Sequence, residues 1–544
     1  MTGATEASGR VDGGRTADRD VVVVGGGPAG LTTALHLAVA GMSVTLVDEQ
    51  PELGGQYYRR PSPGVLSQRG DHRPEGGHLI AAVRAAGVDC RTGTSVWGLA
   101  DDGRTLLTCA SDGAGRADAL SGRYLVIATG AYERVLPFPG WELPGVTTAG
   151  FAQHLASADG TAVGTRVVLA GSGPFLLPVA CSLLELGVTV AGIVEAGQPY
   201  RLSATGALTA LRFPGRLGEL ARYAARLARH GVPVWQARIV ARADPDETGQ
   251  HVGSVTLAAA HAPAVPLTRI HIDALCVGTG FRPQTELAQL LGCAMEPDPD
   301  SGDLLPVISA GGRSSRPDVF IAGEAGGIGG ARQAAAEGEA AAAAILASEG
   351  LPPAGIRPRG GPGTGRRVRR QRRFAALTGR LYPRPGELAA ALAQALPDEV
   401  RVCRCEAVTA GQVRAAAAAA GPAPGGTADQ GVVRGLSRAG MGPCQGRECA
   451  ATVRALCGPG PVGTGPAGTG PAGTGPAGTG PAGTGLAGTG PAGTGPAGAG
   501  LARMPVRPVS LLLGASLADL PDLAAHGQGP AVPAPPAAPG TVPA

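Results

Sequence analysis

Residues 20–30 read DVVVVGGGPAG, in which four valines are followed by a glycine-rich turn and a proline. An apolar helical pattern comes next, and a second apolar run ends at Asp48. Within the turn, Gly25, Gly27 and Gly30 stand in the order G-x-G-x-x-G. The stretch therefore predicts a strand, a tight turn, a helix and a second parallel strand, which together form a βαβ unit.

The glycines and the acid of this unit suit a dinucleotide. Gly25 permits the tight turn, Gly27 lets a pyrophosphate approach the backbone, and Gly30 lets the helix pack closely on the strand. The helix N-terminus offers unpaired N–H groups to the phosphates. Asp48 follows Gly25 by 23 positions, close to the spacing at which an acid meets the ribose hydroxyls. A purely structural glycine turn is the alternative, and the strand, helix and acid together favour the dinucleotide site.

A second unit of the same kind lies at 165–197. Gly171 and Gly173 occupy the first two glycine positions, whereas Leu176 replaces the third glycine. Glu195 ends the second strand, where a carboxylate accepts the ribose hydroxyls of NAD and repels the extra phosphate of NADP. Two interpretations stay open: a working site for NAD or another adenine nucleotide, and a vestigial or structural unit.

Composition excludes several functions. The net charge of +4 over 544 residues and the 3% of aromatic residues argue against a nucleic-acid partner. The chain contains no lysine and no asparagine. Schiff-base catalysis by lysine, a Walker phosphate loop and N-glycosylation are therefore impossible.

The sequence predicts a cytoplasmic protein with no transmembrane segment. Residues 1–18 are polar and glycine-rich, and the apolar runs are interrupted before they reach the length of a membrane span. Five isolated cysteines suit a reducing compartment, where cysteine acts as a small buried apolar residue. They are Cys90, Cys109, Cys181, Cys276 and Cys293.

Four further cysteines form two pairs near the other end of the chain. Cys403 and Cys405 make C-x-C, and Cys444 and Cys449 make C-x4-C, with 38 residues between the pairs. Structural zinc sites usually have C-x2-4-C spacing in both halves, often with histidine. Four thiolates on loops and helix starts are typical of a [2Fe-2S] cluster. The spacing favours the cluster over zinc and over unliganded thiols.

Several strings together resemble a known family: GGQYYRR at 54–60, YLVIATGAYERVLPFPGWELPGV at 124–146, VGTGFRPQTELAQLLGC at 277–293, FIAGEAGGIGGARQAAAEGEAAAA at 320–343, and the cysteine segment. The family is that of the α subunits of heteromeric FAD-dependent amine and amino-acid dehydrogenases. It includes subunits of opine oxidase, hydrogen cyanide synthase and proline or hydroxyproline dehydrogenase. The chain has no C-x-x-C pair, which argues against the disulfide reductases that share the fold.

The resemblance implies an α/β flavoprotein with two dinucleotide-binding domains and a small helical [2Fe-2S] domain similar to the bacterioferritin-associated ferredoxin. We expect the following segments: a disordered N-terminus at 1–18; a Rossmann-like FAD domain at 19–145 and 276–350; an inserted NAD(P)-type domain at 146–275; a linker at 351–397; the [2Fe-2S] domain at 398–458; a repeat spacer of PAGTG units at 459–502; and a tail at 503–544.

The resemblance also implies the cofactor contacts. The residues for FAD would be Gly25, Gly27, Gly30 and Asp48 at the adenosine half, Gly55 and Gln56 nearer the flavin, Thr129 and Gly130 at the end of the first half of the domain, and Gly323 and Glu324 at the ribityl and pyrophosphate chain. The family more often has aspartate at position 324. The second site would use Gly171, Gly173 and Glu195, and the cluster would use the four paired cysteines.

By the same resemblance, an amine, imino acid or opine is oxidised at a second flavin on a partner β subunit, and electrons then pass to this chain. The catalytic residues are unknown from the sequence. Two alternatives stay open: a self-contained NADH-dependent flavin reductase, and a structural scaffold subunit with vestigial cofactor sites.

Overall fold

The computed structural model describes residues 19–69, 73–100, 102–110, 117–199, 213–352, 364–421 and 428–458. The predictions for 1–18, 459–502 and 503–544 lie outside the described residues.

The first domain is built on a five-stranded parallel sheet. Its strands, in spatial order, are Val319–Ile321, Gly122–Ile127, Arg19–Val24, Val44–Val47 and Asp89–Arg91. The valines of the opening stretch form the central strand, because β-branched side chains pack well when both faces of a sheet are covered.

Helix Pro28–Val39 follows the first strand, with proline at its first turn. It packs against helix Ala331–Ser348, and the two backbones approach closely at Gly338. A Cβ placed at Gly338 would overlap the carbonyl oxygen of Ala29. The glycine therefore permits the contact that joins the two halves of this domain.

The second domain repeats the arrangement. Its parallel strands, in spatial order, are Val234–Gln236, Thr189–Glu195, Arg166–Gly171, Ala274–Gly278 and Val146–Thr148. The strand Ala274–Gly278 spans the expected boundary between 275 and 276. Leu176, at the position of the missing third glycine, is buried between helix Leu176–Glu185 and the sheet.

Antiparallel strands complete both domains. One three-stranded sheet comprises Thr94–Leu99, Leu106–Ala110 and Ala117–Leu120, and another comprises Arg238–Pro245, Val252–Ala259 and Ala262–His271. Two-stranded ribbons pair Ala131–Glu133 with Phe281–Pro283, and Met295–Pro297 with Leu304–Pro306. The chain passes from the first domain to the second through strand Ala131–Glu133 of the first ribbon, and it returns through strand Phe281–Pro283. These two passages are the chain crossings between the domains.

The other helical segments of the two domains are Pro63–Arg69, Pro74–Ala85, Ala149–His154, the π-helical turn Leu155–Asp159, Pro214–Arg229, Glu286–Leu290 and the 3-10 turn Gly323–Gly326. No helix in the described ranges is long and apolar enough to cross a membrane.

The segment expected to be a linker contains two helices, Thr364–Gly379 and Pro385–Ala395. Arg367 and Arg372 of the first helix form ion pairs with Glu339 and Glu337 at 2.7 and 3.2 Å. These arginines belong to the stretch RRVRRQRR at 366–373. Because the glutamates lie on helix Ala331–Ser348, part of this stretch is fixed to the first domain.

The cysteine-containing region has strands Arg401–Cys403 and Val408–Thr409 and helices Ala410–Ala420, Gln430–Ser437 and Ala450–Leu456. Thr409 and Gln412 form the capping box that the T-x-x-Q pattern predicts. Apolar side chains of this region, such as Val402 and Val413, join the same buried cluster as Trp141 and Val255 of the flavoprotein part. The region is therefore packed on the second domain.

Candidate functional site

A cavity of about 1450 Å³ lies at the carboxyl ends of the strands of both parallel sheets. It exceeds the roughly 300–1,000 Å³ of common small-molecule pockets, as an extended dinucleotide requires. The residues predicted for cofactors that line it are Gly25, Gly27, Asp48, Gly55, Gln56, Thr129, Gly130, Gly173 and Glu324. Gly30, Gly171, Glu195 and Gly323 lie behind this surface.

The first glycine turn has the shape of a phosphate cradle. Gly25 has φ of +108°, and a Cβ there would overlap the carbonyl oxygen of Ala128. A Cβ at Gly30 would overlap the carbonyl oxygen of Gly25, so this glycine sets the closeness of helix and strand. At Gly27 the nearest atom to such a Cβ is 3.9 Å away, in Gly55. The open face of Gly27 and the adjoining helix N-terminus therefore fit the diphosphate of a dinucleotide.

Asp48 lies at the end of the second strand, as the spacing predicts. Its carboxylate accepts hydrogen bonds from the backbone N–H of Gly26 at 2.6 Å and of Gln50 at 2.7 Å. The side chain is mostly buried yet borders the cavity. The acid thus holds the glycine turn in place and faces the side where a ribose would lie.

A further part of the wall comes from the turn before helix Ala331–Ser348, next to the start of helix Pro28–Val39. Gly323 has φ of +72°, and the Glu324 carboxylate accepts a hydrogen bond from the N–H of Gly330 at 3.1 Å. Burial raises the pKa of Glu324, against the effect of this hydrogen bond. Thr129 borders the cavity, while its hydroxyl donates to the carbonyl oxygen of Gln284 at 3.0 Å.

Two further residues, Arg59 and His154, also line the cavity. Nη1 of Arg59 lies 2.7 Å from Nδ1 of His154. Burial first and then the guanidinium of Arg59 lower the pKa of His154, so the imidazole is held in its neutral form. The GGQYYRR string marked Arg59 as close to the flavin site, whereas nothing local marked His154, since it comes from the second domain.

The second glycine turn has similar backbone geometry. A Cβ at Gly171 would overlap the carbonyl oxygen of Gly278, and Gly173 has open space beside it. The Glu195 carboxylate accepts hydrogen bonds from the N–H of Gly173 at 3.0 Å and of Gly197 at 2.7 Å. Only 3% of Glu195 is exposed, and this burial raises its pKa to about 7.

The two acids differ in what covers them. Asp48 borders the cavity, whereas Glu195 does not. The segment after helix Thr364–Gly379 passes close to Gly197: a Cβ there would lie 3.0 Å from Cδ of Pro383 and 3.1 Å from the carbonyl oxygen of Leu381. Residues 381–383 therefore pack beside the end of the strand that carries Glu195.

The four paired cysteines meet in one place. The sulfur of Cys405 lies 3.7 Å from those of Cys403 and Cys444. Two thiolates bound to one tetrahedral metal at about 2.3 Å lie about 3.8 Å apart, so these separations suit metal ligands. No group of three or more His, Cys, Asp or Glu side chains in the described ranges has, as it stands, the geometry of a metal site. The donors and their pairwise spacing fit, and the complete ligand set stays a prediction.

The cysteine loops have unusual backbone conformations. Ala407, Arg438 and Gln445 all have positive φ, and they are three of the four non-glycine residues in the described ranges that do. A Cβ at Gly442 would lie 2.5 Å from the sulfur of Cys405. Such conformations cost free energy and persist where the surrounding structure imposes them. The loops are therefore shaped to bring the thiols together.

The thiols also influence one another. A hydrogen bond from the thiol of Cys449 lowers the pKa of Cys403 to about 5, and the same contact raises the pKa of Cys449. Cys457, which the sequence places outside the ligand set, is buried, and burial raises its pKa to about 11. It has the properties of a packing residue.

A short bridge of side chains joins the cysteine loop to the cavity. The guanidinium of Arg447, between Cys444 and Cys449, lies 5.8 Å from the ring centroid of Tyr132 and 3.3 Å from the carboxylate of Glu286. Tyr132 and Glu286 both line the cavity. The predicted cluster site and the predicted flavin site are thus separated by a few side chains.

Comparison with known proteins agrees with this architecture. Residues 19–338 match the family described as pyridine nucleotide-disulphide oxidoreductase. The chain is 34% identical over 460 residues to an opine oxidase subunit of Rhizobium meliloti (strain 1021), covering 80% of this chain and 92% of that one. It is 33% identical over 440 residues to hydrogen cyanide synthase subunit HcnB of Pseudomonas aeruginosa, covering 79% and 90%.

The structure of L-proline dehydrogenase from P. horikoshii has the same fold, with a TM-score of 0.54 and 20% identity over 81% of this chain and 74% of that one. The family resemblance and the two Rossmann-like domains predicted from the sequence are confirmed. The chain belongs to the pyridine nucleotide-disulphide oxidoreductase family of FAD-dependent oxidoreductases, together with the subunits of opine oxidase and hydrogen cyanide synthase.

Proposed function

We propose that this chain is the electron-transferring subunit of a heteromeric enzyme that oxidises an amine, imino acid or opine. In this proposal the cavity holds FAD, Cys403, Cys405, Cys444 and Cys449 hold a [2Fe-2S] cluster, and a flavin-containing β subunit oxidises the substrate. When bound, a flavin exchanges one or two electrons and a [2Fe-2S] cluster exchanges one, so the pair links a two-electron oxidation to a one-electron acceptor.

For FAD, the supporting residues are those of the first glycine turn and the segments around it. Gly27 leaves the pyrophosphate position open, Asp48 meets the adenosine ribose, and Glu324, with Gly323 behind it, faces the ribityl chain. The FAD domain proposed for these residues comprises 19–145 and 276–350. Its two halves meet where helix Pro28–Val39 crosses helix Ala331–Ser348.

The observation that carries the proposal is the closeness of the cysteines to this cavity. Sulfurs 3.7 Å apart lie on loops with enforced backbone conformations, and Arg447 connects those loops to Tyr132 in the cavity wall. A structural scaffold needs neither the thiol geometry nor this connection.

The cluster can be tested on protein purified without oxygen. We expect about two irons and two sulfides per chain, and a paramagnetic signal on reduction. Cys405→Ala should abolish the signal and keep the flavin, because the two sites use different residues. Cys457→Ala is the matched control, since this nearby cysteine is not a proposed ligand, and it should keep both. Stoichiometric zinc without iron, or a signal that survives Cys405→Ala, would contradict the assignment.

The division of labour can be tested by anaerobic reduction of the isolated chain. We expect proline, hydroxyproline and opines to reduce its flavin slowly or not at all, and reduction to become rapid when the β subunit is added. Rapid bleaching of the isolated chain's flavin by one of these substrates would refute the need for the partner.

The second dinucleotide unit, proposed as a domain at 146–275, does not support the NADH reductase alternative. Glu195 is 3% exposed and, unlike Asp48, does not border the cavity. We therefore expect NADH to leave the flavin oxidised. Bleaching by NADH that Glu195→Ala weakens would favour the reductase instead.

A further inference from the structure

We infer that a group of arginines beneath the cysteine loop provides the counter-charge for the iron–sulfur cluster and raises its reduction potential. This inference rests on the proposed function, because it requires that the four cysteines hold a cluster. The arginines are Arg134, Arg282, Arg447 and Arg454, and none of them was singled out by the sequence.

Arg282 is the member that joins the loop to the flavoprotein part. It lies in the ribbon strand Phe281–Pro283, and its Nη1 donates to the carbonyl oxygens of Arg447 at 2.9 Å and Gly446 at 3.4 Å. Its Nε is buried and makes no hydrogen bond to any residue that the structure describes. The charge of this guanidinium therefore lies against the loop that contains Cys444 and Cys449.

Two other members lie around one buried carboxylate. Arg134, whose side chain is 2% exposed, forms an ion pair with Asp303, and Arg454 approaches the same carboxylate at 3.9 Å. Nε and Nη1 of Arg134 are buried and have no hydrogen-bond partner among the described residues. Burial lowers the pKa of Arg454, and so do the positive charges of Arg282 and Arg134. The negative charge of Asp303 raises it.

The group has more positive than negative charge. The ion pairs of its four guanidiniums within the described ranges reach two carboxylates, those of Asp303 and of Glu286, which pairs with Arg447. Of the acids next to the cysteines, Glu448 is exposed to solvent and Glu406 is paired with Arg438 at 2.8 Å. A buried excess of charge is costly unless an opposite charge lies nearby. The four arginines therefore favour an anionic neighbour.

A [2Fe-2S] cluster with four thiolates provides that neighbour. Two ferric ions, two sulfides and four thiolates sum to a net charge of −2, and the addition of one electron without a proton makes it −3. Because net charge and surroundings set the potential of such clusters, nearby positive charge favours the reduced form. The arginines would thus stabilise the electron on the cluster and draw it from the flavin side.

A merely structural role for these arginines makes a different prediction. If Arg282 only fastens the loop, then its replacement changes cluster occupancy and stability but not the potential of the clusters that form. Arg282→Lys keeps the charge and loses the paired hydrogen bonds, whereas Arg282→Met loses both. Arg454→Met also removes a positive charge. The guanidinium of Arg454 pairs with Asp303, whereas Arg282 binds the loop carbonyls, so this variant leaves the loop hydrogen bonds in place.

The experiment is a redox titration of the cluster's paramagnetic signal in the full chain with its flavin bound. We expect Arg282→Met and Arg454→Met to shift the midpoint potential to more negative values, and Arg282→Lys to shift it less than Arg282→Met. Arg123→Met is the control, since this exposed arginine pairs with Asp20 at the start of strand Gly122–Ile127, at the end of the first sheet opposite the cavity, and it should leave the potential unchanged.

The outcomes separate the two claims. Absence of any cluster signal from the unaltered protein would contradict the proposed function itself. A cluster whose potential is the same in the unaltered protein, Arg282→Met and Arg454→Met would overturn the counter-charge inference and leave the cluster in place. Should Arg282→Met fail to assemble a cluster, Arg454→Met alone decides, because it leaves the hydrogen bonds from Arg282 to the loop intact.

Discussion

Replacement of Glu195 by glutamine should change how the stability of the protein depends on pH. Burial raises the pKa of Glu195 from 4.5 to about 7, which corresponds to about 3 kcal/mol at 1.36 kcal/mol per pH unit. Because the folded-state pKa is the higher one, the stabilisation is complete below about pH 4.5 and is lost as the pH rises through 7. The glutamine variant cannot ionise, so its stability lacks this dependence on pH. Its amide nitrogen cannot accept one of the two backbone hydrogen bonds that the carboxylate accepts, so the substitution also lowers stability by an amount that does not vary with pH.

The measurement is chemical unfolding of both proteins at several pH values between 4.5 and 8. We expect the stability of Glu195→Gln relative to the unaltered protein to rise by up to about 3 kcal/mol between pH 4.5 and pH 8, from a lower value at the acidic end. Glu247→Gln is the control, since Glu247 is exposed, and its curve should run parallel to that of the unaltered protein. Parallel curves for Glu195→Gln as well would show that Glu195 ionises freely in the fold.

Three glycine substitutions test the two predicted cofactor sites. Gly27→Val places a side chain in the open face of the first turn, so the protein should be purified without flavin but with unchanged far-ultraviolet circular dichroism. Gly30→Ala forces its Cβ onto the carbonyl of Gly25, so it should lower both the midpoint of thermal unfolding and the flavin content. A flavin content equal to that of the unaltered protein would contradict the geometry. Gly442→Ala brings its Cβ within 2.5 Å of the sulfur of Cys405, so it should reduce bound iron and leave flavin bound, as measured by metal analysis and absorbance.

The first dinucleotide unit could be predicted almost completely from the sequence. Its strand, turn and helix are contiguous, and the chemistry of Gly25, Gly30 and Asp48 is set by local backbone geometry. The structure places these residues where the pattern predicts, with Asp48 bonded to the turn. The sequence also predicted that the two cysteine pairs lie together. Four thiolates can bind one metal cluster even though 38 residues separate the two pairs in the chain.

The contacts between distant segments could not be predicted in this way. The segment 351–397 was expected to be a linker, and its helix Thr364–Gly379 packs on the first domain because Glu337 and Glu339 face its arginines. The packing beside the strand that carries Glu195 depends on Leu381 and Pro383, which carry no recognisable motif. The glycine and acid pattern of the second unit does not predict which remote segment packs against that unit. The accessibility of the second site depends on that segment.

The ribbon between the domains explains how one chain brings the two proposed cofactor sites together. Tyr132 and Arg282 are directly paired across its two strands. Tyr132 lines the cavity, while Arg282 holds the carbonyl groups of the cysteine loop. Both chain crossings between the domains also run through this ribbon. A hinge motion between the domains would therefore bend the same strands that place the cysteine loop beside the cavity, and it would change the distance between the two proposed cofactor sites.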